Sequence, residues 1–316
     1  MIRSQAYRAA TLAALVASPF APFSSAALAH GYAGARFFPA TIATDDPFVS
    51  DELSLPTVST IRSQDDPDSP AIRETDVSVD FSKRITRRFG IGIGETWEHF
   101  SAKGTPSISG FDNLAVSAKY LLIKNDPHEF LLSIGVDADV GRTGSQRLGV
   151  DQFSTITPGL FFGKGFGDLP DSVPFLRPLA ITGVIGVGVP TRSQSPTDSG
   201  DFERHPRALN TGIAFEYSLP YLQANVRDVG LRPPFNHLIA IVELNFETPL
   251  NGDTRGETTG TVNPGLIWAG KYFQVAAEAI IPANDRSGHD VGAIAQLHFF
   301  LDDLFPTTIG KPIFGN

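Results

Sequence analysis

The chain has 316 residues, a formal net charge of −9 and no cysteine. Disulfide frameworks, thiolate metal centres and an acylated N-terminal cysteine are therefore excluded. The acidic balance argues against nucleic acid, whose binding relies on clustered Lys and Arg.

Arg3 and Arg8, the apolar run from Ala9 to Val16 and Ala27-Leu28-Ala29 follow the pattern of a secretory signal. Residues 1–29 are expected to be removed on export, leaving His30 as the mature N-terminus. An N-terminal His offers its amine and ring to Cu(II), which favours nitrogen donors. No second His stands at a telling spacing, so His30 is read first as the ordinary residue after a cleavage site. Past residue 29 no apolar run approaches the ~20 residues of a transmembrane helix. Residues 30–52 carry no clear period and are expected to form a periplasmic N-terminal segment.

From there the sequence alternates with period two. Leu53 to Ile61 supplies a first strand, with Pro56 tolerable at a bulge or an end. Across Glu74 to Phe81, apolar Thr75, Val77, Val79 and Phe81 oppose Glu74, Asp76, Ser78 and Asp80. A strand of that kind separates two unlike environments. Similar segments follow at 89–94, 114–122, 130–140, 153–164, 177–189, 208–218, 236–248, 259–269, 272–282 and 290–301. Most are roughly 9–13 residues long, close to what a tilted strand needs to cross a bilayer. Tight connections such as 124–129 and 269–272 alternate with roomier loops at 141–152, 190–207, 249–258 and 283–289. Short periplasmic turns and longer outer loops are the habit of outer-membrane barrels. The stretch 219–235 is long yet falls on the short-turn side, where an ordered excursion is expected.

The pattern predicts an all-β fold, a transmembrane antiparallel up-and-down β-barrel of about twelve strands over 53–301. A tail at 302–316 would return to the periplasm. Aromatics at Phe89, Tyr120, Tyr217, Trp268 and Tyr272 cluster toward one rim, as interfacial rings do.

Several motifs then carry a family resemblance: Tyr217-Ser-Leu-Pro-Tyr-Leu-Gln, Thr259-Gly-Thr-Val-Asn-Pro-Gly, Ile280-Ile-Pro-Ala and Leu297-His-Phe-Phe-Leu-Asp-Asp-Leu-Phe-Pro. On these the chain resembles an uncharacterised group of proteobacterial outer-membrane β-barrel proteins. More loosely it is similar to transporters grouped with phenol-degradation meta-pathway outer-membrane proteins. The resemblance implies a Gram-negative outer-membrane location and transport, and carries over no site residues.

The candidate interior is acidic. Asp76, Asp80, Asp137, Asp139, Glu243 and Glu278 would face the lumen, with Lys119, His237 and His298 as its few bases. Rings of carboxylates select cations in pores, so a narrow porin-like passage for small solutes, cationic or aromatic, is the leading expectation. The alternative is a sealed barrel whose 30–52, 219–235 and 302–316 segments bind a periplasmic protein partner. An outer-membrane lipid hydrolase is the third reading, with His99 and Ser107 or Ser109 as its nearest residues. Hydrolase and phosphate-loop motifs are absent, and no enzymatic activity or cofactor is expected.

Overall fold

The computed structural model describes residues 31–63, 71–196 and 201–315. His30 and residues 1–29, the expected secretory signal, lie outside the described residues. Twelve long strands form one antiparallel sheet that closes on itself. In chain order they are β1 (Glu52–Arg62), β2 (Ile72–Arg84), β3 (Phe89–Ala102), β4 (Leu114–Asn125), β5 (Phe130–Val140) and β6 (Thr155–Gly165). β7 (Leu179–Pro190), β8 (Ala208–Ser218), β9 (Leu238–Pro249), β10 (Thr259–Ala269), β11 (Phe273–Pro282) and β12 (Gly292–Phe300) complete the set. Each pairs with its chain neighbour, and β12 returns to β1 through pairs such as Ala295↔Val58 and Phe299↔Leu53. Closure satisfies every strand edge, which a chain in hydrocarbon requires. Strand lengths run from 9 to 14 residues. No described helix is long and apolar enough to cross a membrane.

Pro56 sits where β1 slips register against β2, between Ser54 and Thr57. A bulge is the position at which a strand tolerates proline.

The burial pattern is inside out relative to a water-soluble barrel. Ile93, Ile134, Leu160, Ile185, Phe215 and Leu266 are exposed on the outer wall, whereas Ser133, Thr182, Glu216, Glu243, Asn263 and Gln274 are buried. So broad an apolar band would be a large unfavourable interface with water. A bilayer removes that cost, so the wall is read as lipid-facing. The strand ends carry aromatic pairs on one rim, among them Phe89↔Tyr120 and Phe273↔Phe299.

Connections at 85–88, 126–129, 166–178, 219–237 and 270–272 share that rim with the described part of the C-terminal tail. We term it the turn end and the opposite rim the loop end. The excursion 219–237 is ordered: a helical turn, Leu219–Tyr221, is capped by the Ser218 side chain. The C-terminal tail folds back on the turn after β2, where Phe314 N–H donates to the Ile85 carbonyl at 2.8 Å.

The N-terminal segment departs from expectation. Residues 31–51 lie inside the barrel, not beneath it as a separate periplasmic segment. The cause is the wall itself, which offers apolar patches and buried acceptors matching this stretch. A small hairpin, Tyr32–Ala33 with Arg36–Phe37, enters at the turn end. Phe38 and Phe48 pack with Leu131 and Ala180, and Phe37 and Ile42 pack on Ala214, Ile239, Ile241 and Ile267.

Candidate permeation path

The segment rises from the turn end, crosses the lumen and descends. Its base is fixed by Arg36, which is fully buried. The Arg36 Nε–Glu129 Oε2 ion pair is 3.1 Å, and Arg36 Nη1 donates to the Pro178 carbonyl at 2.9 Å. Tyr221 closes the network: its hydroxyl donates to Glu129 Oε1 at 2.8 Å, and its ring lies 3.7 Å from the guanidinium. Burial first, then the hydrogen bond to Glu129, pushes the Tyr221 hydroxyl up to about 12. Gly165 leaves the space this cluster occupies, since a Cβ there would stand 2.2 Å from Glu129 Oε2 and 2.7 Å from Arg36 Nε.

Higher up, Gln274 donates to the Ala40 carbonyl at 2.6 Å. The turn at 41–44 is closed by the Thr41 hydroxyl donating to the Thr44 carbonyl. Glu243 on β9 then accepts from three consecutive amides. Ile42 and Ala43 N–H donate at 2.7 and 2.8 Å, and Thr44 N–H is the third. Three amides aimed at one carboxylate form a backbone anion nest. Thr44 Oγ1 also meets Asn245 Oδ1 at 2.9 Å.

Across the lumen on β4, Lys119 Nζ donates to Asp45 Oδ1 at 2.8 Å and to the Asp46 carbonyl at 2.5 Å. Burial raises the Asp46 carboxyl, and Glu52 and Asp45 add to the rise. Lys119 opposes it, and the group comes to about 7. The chain returns past Ser133, which donates to the Pro47 carbonyl at 2.6 Å. It leaves at Asp51, held by Lys83 Nζ at 2.6 Å and Arg84 Nε at 2.7 Å.

Two cavities flank this crossing. One, of about 510 Å³, is lined on the β5–β10 wall by Thr157, Asn210, Asn245 and Thr261. The other, of about 320 Å³, runs along β12 and β1–β5. Ala43, Asp45 and Asp137 line both. Six carboxylates (Asp45, Asp46, Glu52, Asp80, Asp137 and Asp139) line the second cavity. His298 joins them, bonded to Ser54 Oγ at 2.9 Å and 3.7 Å from Glu52.

The candidate residues therefore divide. Asp80, Asp137, Asp139 and His298 line the cavities, and Lys119 reaches the crossing segment. Glu243 is occupied by the nest. Glu278 is 4% exposed and lines neither cavity. Asp76 accepts from Ser59 at 2.9 Å and converges with Glu74 and Glu98, their oxygens within 4.8 Å. Sequence reasoning missed Asp45, Asp46 and the Arg36–Glu129 pair. The one sequence signal available was Asp45-Asp46-Pro47, an acidic pair in an aperiodic stretch.

His99 Nδ1 and Ser109 Oγ do meet, at 2.7 Å, with the imidazole stacked on Trp97. Among the described residues no carboxylate is hydrogen-bonded to that imidazole to orient it as a base.

No protein family and no curated protein matches the sequence. Among solved structures, an outer membrane channel from Pseudomonas putida F1 superimposes with a TM-score of 0.54 at 10% identity, covering 80% of this chain and 96% of that one. The NanC porin gives 0.48 at 10% identity, with 78% and 98% covered. The KdgM porin gives 0.42 at 12%, with 78% and 98% covered. At such identities the likeness speaks to fold, and the fold is that of an outer-membrane β-barrel.

Proposed function

We propose that the protein is a passive outer-membrane channel for small solutes, favouring cations, with its turn end in the periplasm. The observation that carries this reading is the pair of cavities meeting at Asp45 and Asp137. A solute entering from the loop end meets Glu247 among Thr and Asn side chains first, then six carboxylates with His298, one of them, Asp45, bonded to Lys119. Fixed carboxylates lower the energy of a cation and raise that of an anion where water is scarce. Cavities of this size suit one small organic molecule at a time. The likeness of the barrel to a known outer membrane channel and the sequence resemblance to outer-membrane transporters point the same way.

Swelling of proteoliposomes in matched cationic, neutral and anionic solutes tests it. The proposal expects cations to enter fastest, and impermeability to all three contradicts it. The filled turn-end half of the lumen favours a second reading, a sealed barrel that binds a periplasmic partner. Impermeability together with capture of a periplasmic protein through 219–237 would support that instead.

A further inference from the structure

Resting on the channel reading, we infer that residues 42–46 form a movable crossbar that gates the passage between the two cavities. The crossbar spans the lumen from β9 to β4, strands on nearly opposite sides of a twelve-strand ring. At one end Glu243 holds the Ile42, Ala43 and Thr44 amides, and Asn245 meets Thr44. At the other, Lys119 holds Asp45 and Asp46. Ala43 and Asp45 lie on the walls of both cavities, so the crossbar is the partition between them.

The two parts of the segment are held by different physics. Its base rests on Phe38, Phe48 and the buried Arg36–Glu129 pair. Such contacts do not exchange with water at low cost. The crossbar is held mainly by hydrogen bonds and ion pairs, with Ile42 as its apolar contact. Asn245 lines the larger cavity and Thr44, Asp45 and Asp46 the smaller, so water can replace their bonds with a small net change in free energy, whereas the buried Glu243 carboxylate holds its three amides more firmly. The Thr41–Thr44 bond closes the turn upon itself, so the crossbar can leave its latches as a unit while the base stays. The wall is shaped to receive it. A Cβ on Gly212 would come within 2.7 Å of Thr44 Cγ2, and one on Gly90 within 3.0 Å of Val49 further down. Release from Glu243 or Lys119 would merge the cavities into one continuous passage.

The chain has no cysteine, so a disulfide can lock the crossbar without background. The test is planar-bilayer recording of full mature protein carrying Thr44→Cys and Asn245→Cys, before and after reduction. Resistance to unfolding in unboiled detergent verifies the barrel in each sample. The gate predicts loss of large opening events in the oxidised protein and their return on reduction. Identical steady conductance in both states overturns the gate and leaves the channel standing. Silence in both states, relieved by deleting 41–46, also overturns it, because the crossbar is then a fixed plug. Silence that persists after that deletion removes the channel reading and the gate together.

Discussion

Asp45 and Lys119, 74 positions apart in sequence, are joined at 2.8 Å in the middle of the lumen. That contact ties the N-terminal segment to β4 and is the most direct link between the lumen's charge and its obstruction. Lys119 is the one lysine bonded to the crossbar among the described residues, and its ammonium also lies 4.4 Å from the Phe161 ring centroid. Replacing it changes two quantities together. Lys119→Met is expected to raise cation preference, read as a larger reversal potential in a salt gradient. Opening events should also lengthen, because one latch is lost.

The pH dependence follows from Asp46, whose carboxyl is held up to about 7 by burial, with Glu52 and Asp45 adding and Lys119 opposing. A carboxyl raised on folding favours the folded arrangement in its neutral form. That contribution is complete below the ordinary carboxylate range and is lost as pH climbs through about 7. Asp80, Asp137 and Asp139 face the same cavity and add to repulsion once Asp46 ionises. Openings should therefore grow more frequent above pH 7, and Asp46→Asn should flatten the profile.

The base of the segment is a stability element. Arg36→Ala leaves Glu129, itself 4% exposed, as a buried carboxylate without its cation. Breaking such a pair costs about 3–5 kcal/mol. The detergent-resistant form should melt at lower temperature. The paired change Arg36→Met with Glu129→Gln should recover part of the loss.

Close approach supplies a steric prediction. Gly212 has no room for a side chain beside Thr44. Gly212→Val is expected to push the crossbar off Asn245 and raise the open fraction, with little change in barrel stability because the displaced residues face a cavity. A cysteine placed at Thr44 would then label faster with a soluble thiol reagent.

The two faces of one strand should answer differently. Leu160 is 47% exposed at the middle of β6. Leu160→Arg should cost about 2–4 kcal/mol in bilayer folding titrations, the range for a cation at the membrane midplane. Thr157 lines the larger cavity on the same strand. Thr157→Arg should fold normally and reduce cation passage.

The barrel was legible in the sequence because lipid and lumen impose period two on every strand. Alternations such as Glu74 to Phe81 and Phe130 to Val140 fix strand, face and parity with local information alone. The crossbar was not legible for the opposite reason. Ile42, Ala43 and Thr44 make no periodic pattern, and their partner Glu243 lies some two hundred positions away. Only strand register brings it to the correct height. The same holds for Arg36 and Glu129. The acidic interior was half legible: Asp80, Asp137 and Asp139 line a cavity, while Glu243 is occupied by the nest and Glu278 lines neither cavity.

Single-channel recording of the unmodified protein in a planar bilayer tests the account most directly. A wet lumen divided by a polar crossbar predicts small, discrete steps that favour cations and flicker between two levels. A bilayer that stays silent with correctly inserted barrels, even after residues 41–46 are removed, would contradict it.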